Sequence, residues 1–250
     1  MLLAIEIGNT NINMAVFRGK RLLRRYLLPT RSKQYRQFLK GIFKSNKIQA
    51  VILCSVVPQA TIRLQKELLR LCGLTPLIIG KDLQVPIKNM YRRPGQVGQD
   101  RLVNAYAGMT LYGAPLIVVD FGTAITFDVI SKKKEYLGGM IVPGLQISLD
   151  ALASRTALLP KLKVAKPSEF IGRDTVNSIL SGIVYGFACL TEGLSARINK
   201  EIGQAPIIGT GGDVALFSVY LKNLFYVDRD LTLKGLNMLY LYWQGCVCKY

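Results

Sequence analysis

Two short segments of this 250-residue chain set an acid at the end of an apolar run and a glycine two residues later. The first is Glu6-Ile7-Gly8-Asn9-Thr10 and the second Asp120-Phe121-Gly122-Thr123-Ala124. A bend of this kind frees backbone N–H groups, and the glycine lets a phosphate approach with no Cβ in the way. Asn9, Thr10, Asn11 and Thr123 add donors, while Glu6 and Asp120 offer hard oxygen ligands for Mg²⁺ or an alkali cation. Either segment alone is most simply a hairpin. The two lie 114 positions apart, and each is followed by a second apolar run, Ile12–Phe17 or Ala124–Ile130. That recurrence predicts a duplicated unit, two lobes facing one cleft and clamping a triphosphate.

A third segment, Gly98-Gln99-Asp100-Arg101, stands where a Gly/Pro-rich stretch enters a helix. Asp100 suits a general base for a hydroxyl nucleophile, and Arg101 a bidentate grip on a carboxylate. The plainer alternative is an acid favoured by the helix dipole with Arg101 on the surface. Gly209-Thr210-Gly211-Gly212-Asp213 follows a strand and precedes a helix, which fits either a nucleotide at a helix N-terminus or an ordinary turn. It is not a dinucleotide fingerprint, since position 214 is Val, and no Walker A sequence exists. The chain has no histidine, so Ser-His-Asp, Cys-His and His-metal chemistries are excluded.

Half of the residues are apolar and 19% are charged, which excludes a disordered chain. Lys and Arg outnumber Asp and Glu by 33 to 15, giving a net charge of +18. No acid occurs from 7 to 66, and Arg18–Lys47 holds eleven Lys or Arg. A solvated basic face is the favoured reading, with nucleic acid a possible partner through that surface. The odd cysteine count (Cys54, Cys72, Cys189, Cys246, Cys248) predicts reduced thiols used for packing in a cytoplasmic protein. The N-terminus shows no signal peptide, and the uncharged stretches Leu102–Val119 and Thr175–Thr191 read as core elements rather than membrane spans.

To position these residues, the periodicities predict strands at Leu2–Ile7, Ile12–Phe17, Arg21–Leu28, Ala50–Val56 and Pro76–Gly80. Further strands follow at Pro115–Asp120, Ala124–Ile130, Tyr136–Val142, Pro206–Gly209 and Leu224–Val227. Helices are predicted at Tyr35–Asn46, Pro58–Cys72, Gln99–Tyr112, Gly144–Ser154, Thr175–Lys200, Val214–Leu221 and Thr232–Gly245. Val85–Gly98 reads as a loop.

Seven blocks in order resemble one family: Ile7–Asn11, Ser55–Pro58, Gly98–Asn104, Asp120–Asp128, Gly138–Leu145, Thr156–Pro160 and Ile171–Gly182. The chain resembles the type III pantothenate kinases of the acetate kinase/sugar kinase/actin superfamily. The resemblance implies an α/β protein of two tandem ribonuclease-H-like (actin-like ATPase) lobes, each a mixed sheet flanked by helices. Residues 1–113 would form the N-terminal lobe and 114–250 the C-terminal lobe.

The implied reaction is ATP-dependent phosphorylation of pantothenate to 4′-phosphopantothenate, the first step of coenzyme A synthesis. Asp100 matches the family's catalytic base. Tyr91, Gly98, Gln99, Asp100, Arg101 and Thr175 match substrate contacts, with Thr175 coming from the partner subunit of a homodimer. Glu6, Ile7, Gly8, Asn9, Thr10, Asn11, Ile12, Asn13 and Thr123 match ATP contacts. Asp120 matches the ligand of a monovalent cation, K⁺ or NH₄⁺, and Glu6 stands where a carboxylate near Mg²⁺ is expected. The family usually has Asp at position 6, so this acid reaches farther by one methylene, about 1.5 Å. A non-catalytic relative serving as a transcriptional accessory factor is the alternative.

Overall fold

The computed structural model describes residues 1–222 and 224–247. Long apolar runs become central strands because both of their faces must be covered. In chain order the elements are β1 (Leu2–Ile7), β2 (Asn11–Arg18), β3 (Arg21–Pro29), α1 (Tyr35–Ser45), β4 (Ala50–Ser55), α2 (Pro58–Cys72) and β5 (Leu77–Ile78). The short β6 (Lys88–Asn89) and a 3₁₀ turn (Pro94–Gln96) interrupt the stretch expected to be loop. Then come α3 (Gln99–Tyr112), β7 (Leu116–Phe121), β8 (Ala124–Ile130), β9 (Glu135–Pro143), α4 (Leu145–Arg155) and α5 (Thr175–Ile202). The chain continues through β10 (Ile207–Thr210), α6 (Val214–Phe217), β11 (Leu224–Val227) and α7 (Leu231–Val247).

The strands form two mixed sheets, ordered β3-β2-β1-β4-β5 and β11-β10-β7-β8-β9-β6. In each, an antiparallel three-strand meander is extended by parallel strands beside its first member. β1 and β7 even share one burial pattern, fully buried except at the penultimate residue, which is Glu6 in one and Asp120 in the other. The duplication inferred from the 114-residue offset is therefore present in five strands of each sheet, with β6 an addition to the second.

The chain divides into two units: 1–87, 92–107 and 231–250 make unit 1, and 88–91 and 108–230 make unit 2. The division differs from a cut at 113/114 because α7 packs on β1, β2 and β4. Within unit 1, α7 crosses α3 closely at Gly235, where a Cβ would lie 2.8 Å from Val103 Cγ1, and Thr232 Oγ1 donates to Asn104 Oδ1 at 2.7 Å. One core of unit 1 sets Leu3, Ile5 and Ile7 of β1 against Leu39 and Ile42 of α1 and Leu64 and Leu68 of α2. The core of unit 2 gathers Ile117, Val119, Phe121, Phe127, Val184 and Phe217.

Helix α5 buries one side, through Leu180, Val184, Ala188, Thr191, Ser195 and Ile198. Its opposite side exposes Gly182, Gly186, Cys189, Gly193 and Ala196. Among the described residues it is the helix long and apolar enough to cross a membrane by length and composition. The expectation of a core element therefore holds for one face only. Cys54 is buried, Cys72 half-buried and Cys189 exposed, all as free thiols, so packing does not account for Cys189. Cys248 lies outside the described residues, as does the side chain of Cys246.

Candidate active site

In unit 1 the first candidate segment lies at the C-terminal end of β1. Ile7 and Ile12 are in register and buried, so their side chains belong to the core and only their backbone is available to a ligand. Between them the bend is closed by Gly8 N donating to Asn11 O at 2.9 Å, leaving Asn9 and Thr10 exposed. The bend is braced by the residue after β3 and the first of α1: Thr30 Oγ1 donates to Gly8 O at 2.7 Å, Thr30 N donates to Thr10 O at 2.9 Å, and Tyr35 OH donates to Thr30 O at 2.6 Å. Neither Thr30 nor Tyr35 carries a sequence signal for this role; only the pairing of β3 with β2 brings them in.

Glu6 accepts a hydrogen bond at Oε2 from Asn13 Nδ2 at 3.0 Å. Burial pushes the Glu6 carboxyl up to about 7; the Asn13 bond pulls it down, and the negative charge of Asp100 pushes it up again. That two-carboxylate neighbourhood fits a divalent cation. Mg²⁺ is ordinarily held by one or two carboxylates together with phosphates and water. No cluster of three or more potential ligand side chains occurs among the described residues, so any such ion would need the nucleotide's oxygens.

Asp100 lies in the first turn of α3, where its charge faces the positive end of the helix dipole. Gly98 O accepts from Arg101 N at 3.1 Å and Leu102 N at 3.3 Å, which starts the helix. Asp100 Oδ1 folds back to accept from Arg101 N at 2.9 Å and sits where a Cβ of residue 98 would be. Burial raises the Asp100 carboxyl above its usual range, while the Arg101 backbone and guanidinium oppose the rise. A carboxylate made more basic by burial suits proton abstraction. Arg101 is only 7% exposed, which disposes of the surface alternative. Gln99 packs over Gly80, and its buried Oε1 has no partner among the described residues.

Unit 2 repeats the plan at the end of β7. Asp120 is paired across the sheet with Thr126 of β8 and Thr210 of β10. That register carries the glycine turn after β10 onto the acid. A Cβ at Gly211 would strike Asp120 Oδ1 and come within 2.6 Å of the Phe121 carbonyl, and one at Gly122 would lie 3.3 Å from Asp120 Oδ1. Asp213 N donates to Phe121 O at 3.0 Å, and burial raises the Asp213 carboxyl. Gly144 N donates to Thr123 O at 3.2 Å, and a Cβ at Gly144 would strike the carbonyls of Gly122 and Thr123. Gly122 and Gly211 thus flank one carboxylate, and Gly144 packs on the carbonyls of the 122–123 turn. In the sequence the turns at Gly122 and Gly211 stand as separate motifs, whereas Gly144 stands only as a helix start and as part of the block Gly138–Leu145.

Tyr91 also belongs to unit 2. It follows β6, which pairs with β9, and its ring lies 3.4 Å from a Cβ built at Gly138. Thr175 is the exposed first residue of α5, whose N-cap Asp174 accepts from Asn177 N at 2.8 Å. It lines a shallow, open groove with Leu152, Leu159, Arg173 and Ser178. The substrate set expected from sequence is therefore split, with Gly98, Gln99, Asp100 and Arg101 in unit 1 and Tyr91 and Thr175 in unit 2.

Comparison with known proteins gives a consistent result. The profile of the type III pantothenate kinase family matches residues 2–197. A type III pantothenate kinase of Geobacter sulfurreducens is 40% identical over 250 residues, covering 96% of this chain and 98% of its own. Among solved structures, a Campylobacter jejuni protein assigned to the Baf family of transcriptional activators superposes with a TM-score of 0.60 at 21% identity, over 97% of this chain and 99% of its own. Component A of the (R)-2-hydroxyglutaryl-CoA dehydratase of Acidaminococcus fermentans gives 0.57 at 12% identity, over 98% of both chains. At such identities these two speak for the fold alone.

Proposed function

Because the chain belongs to the type III pantothenate kinase family, we propose that it transfers the γ-phosphoryl group of ATP to the 4′-hydroxyl of pantothenate, giving 4′-phosphopantothenate for coenzyme A synthesis. The observation that carries this is Asp100, an acid whose proton affinity burial has raised, held at a helix start beside the buried Arg101.

In this reading Asp100 accepts the hydroxyl proton as the oxygen attacks the γ-phosphorus in line. Arg101 holds the substrate carboxylate, and the partnerless Gln99 Oε1 accepts an N–H or O–H of the substrate. Tyr91 adds a wall. The bend from Glu6 to Asn13 and Thr123 supply donors to the phosphates of ATP. Mg²⁺, when bound, offsets phosphate charge, and Glu6 is the residue that would hold it. Asp120, with the carbonyls of the glycine turns near it, would hold K⁺ or NH₄⁺. The three acids 6, 100 and 120 all stand beside bends suited to a kinase, which favours the enzyme over a non-catalytic accessory factor.

We also assign a homodimer to the protein, formed through the exposed small-residue face of α5. Close helix packing needs such residues, and Leu158 (91% exposed), Phe170 (66%) and Ile171 (76%) leave apolar surface near its start. Thr175 would reach the partner's substrate in that assembly. A monomeric mass by light scattering at micromolar concentration would remove this assignment. A cytoplasmic location follows from the need for ATP.

The deciding experiment is turnover of ATP, Mg²⁺, K⁺ and pantothenate by the wild type and by Asp100→Asn. The expected result is pantothenate-dependent ADP release that falls by about a hundredfold or more in the variant, with the melting temperature kept. Near-normal turnover in Asp100→Asn would remove the base, and none in the wild type would remove the function.

A further inference from the structure

The resemblance implies Asp at position 6, where this chain has the longer Glu, and the sheet around Glu6 shows how that acid is held. Glu6 is in register with Asn13 of β2 on one side and with Cys54 of β4 on the other. Directly paired residues of neighbouring strands project to one face. Asn13, Glu6 and Cys54 thus form a single row across three strands, on the face opposite Ile5 and Ile7. Cys54 is fully buried and closes one flank without hydrogen bonding to Glu6. Asn13 closes the other, donating from Nδ2 to Glu6 Oε2 at 3.0 Å. Glu6 Oε1 accepts no hydrogen bond from a described residue.

We propose that Asn13 is a positioning residue for Glu6: its amide clamps Oε2 of the longer acid and leaves Oε1 as the oxygen offered to the nucleotide's divalent cation. Glutamate has one more rotatable bond than aspartate, and a carboxylate that acts at a fixed distance must have that torsion frozen. A cross-strand hydrogen bond freezes it when the protein folds rather than when the ligand binds. The donor type also matters. A neutral amide orients the carboxylate without cancelling its charge, whereas an ammonium or guanidinium would compete with the cation. The inference rests on the kinase reading, in which Glu6 faces Mg²⁺-bound ATP.

The test is a double-mutant cycle of wild type, Asn13→Ala, Glu6→Gln and the double variant. Mg²⁺-dependent ATP binding is measured by calorimetry without pantothenate, and turnover is measured in parallel. Asn13→Ala is expected to weaken Mg²⁺-dependent ATP binding by about tenfold, the usual scale for a residue orienting a metal ligand. In the Glu6→Gln background the same change should cost less than about twofold. Pantothenate KM should be unchanged, and Asn13→Gln, which keeps the donor, should recover part of the loss. Asn13→Ser, which shortens the donor, takes the place of Asn13→Ala if that variant does not fold, with the same loss expected. An equal loss in both backgrounds, or no loss in either, would overturn the proposal. Mg²⁺-dependent ATP binding without pantothenate turnover in the wild type would overturn the acceptor reading, and the calorimetric cycle would still decide Asn13. No Mg²⁺-dependent ATP binding at all would overturn both.

Discussion

Gly98 and Asp100 are packed so closely that residue 98 has no room for a side chain: the space its Cβ would fill is taken by Asp100 Oδ1. The carboxylate is folded back onto its own helix start and tied there to Arg101 N at 2.9 Å. Gly98→Ala should therefore push the carboxylate aside without touching the core. A displacement of about 1 Å of a reacting group costs on the order of a hundredfold in rate. We expect kcat to fall on that scale while ATP affinity stays within about twofold. Steady-state kinetics with unchanged kcat would show that the Asp100 position is not critical.

Glu6 makes stability depend on pH. Its carboxyl is raised by burial from 4.5 in the unfolded chain to about 7 in the folded one. Between those values the native state keeps a proton that the unfolded chain has released, so stability falls as pH rises through the window. Glu6→Gln removes this contribution, which amounts to about 3 kcal/mol across the window. Urea unfolding at pH 4.5 and 7.5, without nucleotide or Mg²⁺, should show a smaller drop in the variant than in the wild type. Equal drops would mean that the acid is not desolvated as described.

Asp120 is the acid proposed to hold a monovalent cation. Turnover should be faster in K⁺ or NH₄⁺ than in Na⁺ at equal ionic strength, and Asp120→Asn should abolish the difference. Three equal rates in the wild type would withdraw the assignment.

Gly211 and Gly212 are neighbours with opposite demands. Gly211 has φ +94° and a blocked Cβ position, whereas nothing lies within 4 Å of a Cβ at Gly212. Gly211→Ala should cost about 2 kcal/mol or more, because the conformation is strained and the carbonyl of Phe121 is in the way. Gly212→Ala should stay within about 0.5 kcal/mol. Thermal or urea unfolding separates the two, and similar losses would contradict the packing of Gly211 on Asp120.

Several elements could be read from the chain because their signals are local. Helix α2 runs from Pro58 at its first turn to Gly73, which caps it at φ 68°. β1, α3, β8 and β11 also begin and end where the periodicity predicts. The expected helix from Val214 to Leu221 instead stops at Phe217. Tyr220 and Leu221 continue the apolar spacing because they still pack into the unit 2 core after the backbone has left the helix. Spacing reports burial and not backbone conformation, so the two diverged there.

By itself the sequence determined the repeat of acid and glycine bends, the order of strands and helices, and the candidate base at position 100. Each of these depends on residues close together in the chain. Only the tertiary structure decided that Asn13 meets Glu6, that Gly211 lies on Asp120, and that α7 packs on β1, β2 and β4. Those relationships follow from strand register and from which sheet face a helix covers. A one-residue slip in register would turn every such side chain to the other face, and nothing in the local pattern of the chain records the choice.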